Sequence, residues 1–295
     1  MSFKVIIDYY KNFSFEQISL LDADYIVVHL KGYSCFAGAK YDIETVKNIA
    51  DMIRLAGKKP TLGFDAIIEE YQIDESLRIL DNIIEKFDGI IYSDLAIYKY
   101  LKDRNQNIVY IYDSKTYIAS KYENNYWRKK NIIPIIANEL NESELSVIAQ
   151  NGNVALEAFG YHRIMYSKRK LLNMYQDYLN GSYQFATNKM YYAKEELRNE
   201  MCPIVETEIG TMIYTPYIYN ALELLDNECI KSSIDFVKVS TDFLDEEMIM
   251  LALNILKNAN HGKSISYDIQ KLYELGTSRG FLDRQSFLVK GGKNA

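Results

Sequence analysis

The chain has 295 residues, of which 48% are hydrophobic, and a formal net charge of −6 at pH 7. This apolar fraction suffices for a sizeable core and excludes a disordered chain, and no apolar run has the length of a membrane span. The negative net charge excludes a general attraction to nucleic acid, which would need a local basic patch. Three scattered cysteines (Cys35, Cys202 and Cys229) cannot form a disulfide framework, and the sequence predicts a cytoplasmic protein without a signal peptide.

Eight short apolar runs alternate with helical patterns along the chain. Most of these runs are apolar at successive positions, which is typical of strands buried on both faces in a parallel sheet. The predicted strands are 3–8, 25–30, 59–65, 89–93, 107–113, 132–138, 154–159 and 234–240. The helices predicted between them are 15–21, 43–58, 74–87, a helix capped by Asp94 that ends near 104, 114–130, a helix from 141, and 245–259.

The alternation breaks once, in the segment 181–214, where short runs separated by turn residues predict a small antiparallel insertion. Eight strand–helix units with an insertion after the seventh favour a (β/α)8 TIM-type barrel over an open sheet. We therefore predict one α/β domain. Residues 1–180 would hold barrel strands one to seven, 181–215 the β-rich insertion, and 216–295 the eighth strand with C-terminal helices.

The C-terminal ends of barrel strands carry the chemistry of this fold class. The polar residues at the predicted strand ends are Asp8, Lys31, Asp65, Ser93, Asp113, Asn138, Glu157 and Lys238. Several carboxylates converging with Lys31 and Arg169 would form a polar mouth suited to a small acid. The alternative for Asp65 and Asp113 is that they cap helices. Because Glu157 lies inside an apolar run, we expect it to be buried and paired with Arg169 or Lys170.

The segment 157–172, EAFGYHRIMYSKRKLL, is the most informative stretch of the sequence. An apolar run ends at Gly160, and the residues from Tyr166 to Lys170 open a new helical pattern. A strand, a glycine turn and a basic helix start would present backbone N–H groups and cations to an anion. The residue types alone also fit a β–α turn with solvated lysines.

Other catalytic patterns have little support in the sequence. Cys35 could pair with one of three histidines, at 29, 162 and 261, to form a thiol peptidase, but a lone cysteine is more often inert packing. The histidines and cysteines do not fall at zinc spacing. The sequence contains no P-loop and no dinucleotide fingerprint.

Six motifs in order along the chain resemble those of the collagenase-like peptidase family, peptidase family U32. The main one is E-x-F-G-x-x-x-x-x-Y-S-x-R, from Glu157 to Arg169, although most members have a cysteine where this chain has Lys170. The other matches lie at 23–28 (ADYIVV), 88–94 (DGIIYSD), 125–127 (NYW), 203–211 (PIVETEIGT) and 277–282 (TSRGFL).

The resemblance implies either the proteolysis for which the family is named or a part in hydroxylation, because relatives hydroxylate ubiquinone, transfer RNA uridine or ribosomal RNA. Several of these relatives hold a four-iron, four-sulfur cluster on four cysteines, and RNA-modifying members depend on prephenate. A cluster needs about four thiolates, whereas this chain has three cysteines and Lys170 at one ligand position. The resemblance therefore implies a shorter member without a cluster or metal, which works beside a larger, cysteine-bearing relative.

On this basis we expect a non-cluster subunit of a prephenate-dependent complex that hydroxylates the wobble uridine of transfer RNA. The expected catalytic residues are Glu157, Arg169 and Asp113. The residues expected to bind substrate or cofactor are Lys31, Arg163, Ser167, Lys168, Lys170 and Glu206. Aromatic residues of the insertion are expected to dock the partner or to cover the end of the barrel. A collagenase-like peptidase and a binding subunit without chemistry are the alternatives.

Overall fold

The computed structural model describes residues 2–104, 106–115, 118–181, 183–194, 196 and 199–284. Its strands are β1 (Lys4–Asp8), β2 (Tyr25–His29), β3 (Lys59–Phe64), β4 (Gly89–Tyr92), β5 (Val109–Tyr112), β6 (Ile132–Pro134), β7 (Ala155–Gly160), β8 (Arg163–Ser167), β9 (Met190–Lys194), β10 (Met201–Thr207), β11 (Gly210–Tyr214), β12 (Tyr219–Asn220) and β13 (Phe236–Val239). Its α-helices are α1 (Phe15–Leu20), α2 (Ile43–Leu55), α3 (Ile73–Ile83), α4 (Leu95–Asp103), α5 (Lys121–Arg128), α6 (Glu142–Ala149), α7 (Leu171–Tyr178), α8 (Glu228–Lys231), α9 (Glu246–Asn260) and α10 (Ser266–Glu274).

The larger sheet is curled and runs in the order β12–β7–β13–β1–β2–β3–β4–β5–β6. All its neighbours pair in parallel except β12, which pairs antiparallel with the end of β7. Just beyond β6, Ile135 forms an isolated parallel bridge with Ala155 of β7, and the Ile136 N–H donates to the Ala155 carbonyl at 3.0 Å. The eight strands predicted from the sequence all lie in this sheet, and the α/β class is confirmed.

Apolar side chains on both faces of the sheet explain why its strands are apolar at successive positions. Along β2, Ile26 and Val28 face outward into the main core, which also contains Val46 and Ala50 of α2. The alternate side chains face the concave interior and form a second, smaller cluster. Its buried members are Ile6, Tyr25, Val27, Ile91, Ile111, Ile135, Ala155 and Phe236.

Side-chain caps set the start of several helices. Asp94 accepts a hydrogen bond from the Ala96 N–H at 2.9 Å, which confirms it as the cap of α4. The helix predicted from residue 114 begins only at Lys121, because Ser120 forms a capping box there and Lys115 has a φ of 64°, outside the helical region. None of the helices that the structure describes is long and apolar enough to cross a membrane.

The smaller sheet is antiparallel, in the order β8–β11–β10–β9. The segment predicted as an antiparallel insertion supplies three of its strands, and β8 adds the fourth by pairing with β11. The prediction that Tyr166 to Lys170 opens a helix is therefore wrong. Tyr166 and Ser167 belong to β8, Lys170 caps the next helix without a side-chain hydrogen bond, and α7 starts at Leu171.

Candidate functional site

Polar side chains follow the interior cluster at the C-terminal ends of the parallel strands. Asp8 in β1, Glu157 in β7 and Asp113 just after β5 each lie two residues after an interior apolar residue, so they face the same interior. Lys238 stands in the same relation to Phe236. The period of two in a strand therefore places a polar layer directly above the apolar one.

This polar layer, which we call the mouth, surrounds a small cavity of about 40 Å³. That volume accommodates a few water molecules at most. Five carboxylates and three cations line the cavity. They are Asp8, Asp65, Asp113, Glu157 and Asp242, with Lys115, Arg163 and Lys238. Because the carboxylates outnumber the lysines and arginine, the net charge of the mouth depends on which of its carboxylates and histidines carry a proton.

Glu157 is the centre of one half of the mouth. One oxygen accepts from Lys238 at 3.1 Å and from the Ser240 hydroxyl, and the other accepts from Asn138 at 3.1 Å and from Lys115 at 3.3 Å. Burial favours the neutral acid, but Lys115 and Lys238 outweigh it and hold the pKa of Glu157 well below its ordinary value. Glu157 is thus a buried carboxylate between two ammonium groups.

A hydrogen-bonded chain crosses the other half of the mouth. His29 Nε2 lies 2.9 Å from Asp8 Oδ1, and His29 Nδ1 lies 2.8 Å from Ser34 Oγ. The Ser34 hydroxyl donates to Asp65 Oδ1 at 2.8 Å, and Arg163 donates to the second Asp65 oxygen at 3.1 Å. Burial opposes the ionised form of Asp65, but Arg163 and His29 hold its pKa below the ordinary value. These contacts connect β1, β2, β8 and the loops after β2 and β3.

Two buried groups at the mouth favour their neutral forms. Burial lowers the pKa of His162 to about 4, because it outweighs the opposing effect of Glu157. Burial and then Asp8 raise the pKa of Asp242 to about 6, although its Oδ1 accepts the Ala37 N–H at 2.9 Å.

Cys35 lies at the mouth but lacks the character of a nucleophile. Its side chain is buried, and burial raises the pKa of the thiol to about 12. The ring of His29 stacks on Phe36, and both its nitrogens contact oxygen atoms instead of the thiol. The pair of Cys35 with His29 is therefore not formed here.

An open cleft of about 240 Å³ adjoins the mouth. Asp65, Asp113, Lys115 and Arg163 line both the cleft and the inner cavity. Lys115 also pairs with Asp113 at 3.0 Å. A ligand in the cleft would therefore meet two carboxylates and two cations, and these four side chains separate it from the inner cavity.

Comparison with known proteins identifies the family. The model of Peptidase family U32 matches residues 14–284. The chain belongs to peptidase family U32. No curated protein matches the sequence significantly.

Several solved structures resemble the fold at low identity. The U32 peptidase Mk0906 is 13% identical, with a TM-score of 0.45 over 81% of this chain and 92% of that chain. Thiamine phosphate pyrophosphorylase from Pyrococcus furiosus is 11% identical, with a TM-score of 0.44 over 88% and 96%. The Bacillus cereus spore cortex-lytic enzyme SleL is 10% identical, with a TM-score of 0.44 over 88% and 74%. At these values the similarities carry no functional argument.

The U32 signature segment is divided between the mouth and the surface. Three of the predicted site residues, Glu157, Arg163 and Asp113, lie in the mouth. Arg169 and Lys170 are exposed, and the partners expected for Glu157 are replaced by Lys115 and Lys238. The expected pairing of Glu157 with Arg169 or Lys170 is wrong because β8 carries both residues away from the mouth.

The remaining predicted binding residues lie outside the mouth. Lys31 is exposed after β2, and Lys168 contacts Gln72 at 3.0 Å beside a separate cleft of about 390 Å³. Ser167 accepts the Arg169 N–H at 3.2 Å. Glu206 is buried in the smaller sheet.

Glu206 has a structural environment in this sheet. It accepts hydrogen bonds from the N–H groups of Leu172 and Asn173 at 2.9 and 3.3 Å, and from the Thr211 hydroxyl at 3.1 Å. Its carboxylate thereby holds the first turn of α7 against β11.

Sequence reasoning missed several residues of the mouth as site residues, namely His29, Ser34, Lys115, Ser240 and Asp242. His29 and Ser240 could have been found from the alternation of side chains along a strand, because each lies two residues after an inward-facing strand residue. Ser34 and Lys115 lie in loops, where no periodicity operates. Among the described residues, no group of three or more His, Cys, Asp or Glu side chains is arranged to hold a metal ion.

Proposed function

We propose that this protein is a subunit without an iron–sulfur cluster in a complex that hydroxylates the wobble uridine of transfer RNA. In this proposal its partner is a larger, cysteine-bearing member of peptidase family U32, and its curled sheet is a (β/α)8 barrel whose mouth is the working site. Family membership supports the proposal. The dispersal of the three cysteines over a loop, β10 and α8 supports a subunit without its own cluster.

The observation that carries the proposal is the position of two cations between the cleft and the inner cavity. Arg163 and Lys115 line both spaces, and the Nε of Arg163 is buried and has no hydrogen-bond partner in the described structure. A guanidinium binds carboxylates with well-defined geometry. We therefore propose that the cleft takes a small carboxylic acid, with prephenate as the compound that the family resemblance implies.

Mass spectrometry of transfer RNA nucleosides from a deletion strain tests this function. We expect the hydroxylated wobble uridine to disappear on deletion and to return with the wild-type gene. Arg163→Lys should fail to restore it, because a lysine retains the charge beside Asp65 but not the geometry of the guanidinium. Arg169→Lys, on the exposed segment, is the matched control for the mouth. An unchanged nucleoside profile in the deletion strain would contradict the proposed function.

A collagenase-like peptidase is the second candidate, and one observation favours it. Ser34, His29 and Asp8 are hydrogen-bonded in the order of a serine hydrolase triad. Against this reading, Ser34 has 0% exposure and donates its hydroxyl proton to Asp65 instead of to the histidine. Labelling with a fluorophosphonate distinguishes the two functions. A peptidase would be labelled at Ser34 and not in Ser34→Ala, whereas we expect no labelling of the wild-type protein.

A further inference from the structure

The chain from Asp8 through His29 and Ser34 to Asp65 has a carboxylate at each end. Its three contacts are 2.9, 2.8 and 2.8 Å long, all within ordinary hydrogen-bond distance. Its four members are 1%, 6%, 0% and 9% exposed, so water does not readily replace a missing partner. Each contact therefore needs a proton of its own, because two bare acceptors at these distances repel each other.

Counting protons leaves two possible states for this hydrogen-bonded chain. Three contacts need three protons, and the Ser34 hydroxyl supplies one. Asp8 is held ionised, since Lys238 and His29 outweigh its burial and lower its pKa. Asp8 also accepts the Thr241 N–H at 3.1 Å on its other oxygen. The other two protons then belong to His29, with one on each ring nitrogen, unless one has moved along the chain to Asp65.

The surroundings hold the imidazole in the position that this count requires. The His29 ring stacks on Phe36 with centroids 4.1 Å apart and planes 17° from parallel. A Cβ at Gly63 would lie 2.4 Å from His29 Nδ1, so only glycine at that position of β3 leaves room for the ring. Asp242 is a further carboxylate facing the ring from the loop after β13. Phe36 and Gly63 thus fix the orientation of the ring, and Asp242 in its ionised form would stabilise a positive charge on it.

We propose that Asp65 is the acid–base group of the mouth and that it receives its proton from His29 through Ser34. In the step, the proton on His29 Nδ1 passes to Ser34 Oγ while the Ser34 hydroxyl proton passes to Asp65 Oδ1. His29 becomes neutral and keeps its Nε2–H bond to Asp8, and Asp65 becomes a carboxylic acid. Asp65 lines both the inner cavity and the cleft, so it can then give this proton to a basic oxygen of a ligand there.

The resting state keeps the proton on His29, because Arg163 lies 3.1 Å from the second oxygen of Asp65 and stabilises the carboxylate. A ligand whose own anionic group draws Arg163 away would weaken this hold and favour proton transfer to Asp65. His29 and Ser34 are positioning residues in this device, and Asp65 is the group that touches the ligand. The device does not depend on which reaction the mouth catalyses.

Nitrogen NMR of the histidine rings tests the proposal in the full chain without ligand. The chain has three histidines, at positions 29, 162 and 261, and the spectrum of His29→Gln assigns the first. At pH 7 we expect His29 to show two protonated ring nitrogens and His162 to show one. A neutral His29 in the wild-type protein would overturn the proposal.

Two serine variants show whether the hydrogen-bonded chain from Asp8 to Asp65 sets the charge of His29. Ser34→Ala removes the hydroxyl that links His29 to Asp65, so we expect His29 to become neutral with its proton on Nε2. Ser76→Ala is the matched control, because Ser76 is also 0% exposed but donates to the Gln72 carbonyl at 2.7 Å, outside the mouth. A charged His29 in Ser34→Ala would overturn the relay, since Asp8 alone would then account for the charge. Failure of the transfer RNA test would leave these spectra unaffected.

Discussion

Replacing Glu157 tests whether the buried charges of the mouth stabilise the fold together. In Glu157→Gln the shape is retained, but Lys238 and Lys115, with side chains 9% and 19% exposed, lose their shared counter-charge. Removing one partner of a buried ion pair costs about 3–5 kcal/mol. Each lysine keeps one carboxylate, because Asp113 is 3.0 Å from Lys115 and Asp8 is 3.8 Å from Lys238. We therefore expect a loss near the lower limit, about 3 kcal/mol.

Urea unfolding at pH 7, followed by circular dichroism, measures this loss. Glu206→Gln is the matched control, because Glu206 is 2% exposed like a mouth residue but accepts from backbone N–H groups and a threonine hydroxyl. A glutamine oxygen can replace most of those contacts, so we expect a loss of about 1 kcal/mol. If Glu157→Gln costs no more than Glu206→Gln, the inference that Glu157 neutralises the two lysines is wrong.

The pH dependence of the same measurement gives a second check. The pKa of Glu157 is lowered in the folded state, so its contribution is present above its unfolded pKa of about 4.3 and is lost as the pH falls through the folded value. The difference between wild type and Glu157→Gln should therefore be largest near neutral pH and should shrink in acid. A difference that is constant down to pH 3 would contradict the lowered pKa.

Three further predictions concern other positions of the mouth. Burial raises the pKa of Asp242 to about 6, so its stabilising effect is complete below its unfolded pKa and is lost as the pH rises through 6. In urea unfolding at pH 8, Asp242→Asn should therefore have a free energy of unfolding that exceeds the wild-type value by up to about 3 kcal/mol, and the two values should converge at pH 4. Gly63→Ala should cost about 1–3 kcal/mol in urea unfolding, because its Cβ would lie 2.4 Å from His29 Nδ1, and unchanged stability would show that the ring can move freely. Peptide mapping after iodoacetamide treatment at pH 8 should find Cys229 alkylated much faster than Cys35, whose thiol pKa is raised to about 12 by burial, and equal rates would contradict that burial.

The strands of the larger sheet could be predicted because they are buried on both faces. Continuous apolar runs such as 25–30 indicate such strands without any knowledge of their neighbours. The polar residues at their ends followed from the same pattern, since side chains two positions apart face the same side. The sequence alone therefore predicts that Glu157, Asp113 and Asp65 lie near a common mouth, although it does not predict their partners.

The course of the chain after Gly160 could not be predicted from local pattern. The residues from Tyr166 to Lys170 are mostly basic and lead into a helix, so their pattern predicts a helix start. In the structure Tyr166 and Ser167 belong to β8, which starts at Arg163 and pairs with β11, a strand distant along the chain. A strand at the edge of a sheet has only one neighbour, and its local pattern therefore carries a weak signal. Tertiary pairing thus places Arg163 in the mouth and leaves Arg169 on the surface.

The identity of partners within the mouth depends on geometry that no single stretch contains. Asp8, His29 and Asp65 come from three consecutive parallel strands or the residues just after them, so their order around the mouth follows from the sheet order. The link between His29 and Asp65 instead depends on Ser34, which lies in a loop. It also depends on the absence of a side chain at Gly63. A serine in a loop and a glycine in a strand are each common, and their significance appears only when both lie against the same imidazole. The proton relay is thus a property of the sheet register and one loop together, which is why the polar strand ends alone indicated a mouth but not its acid–base group.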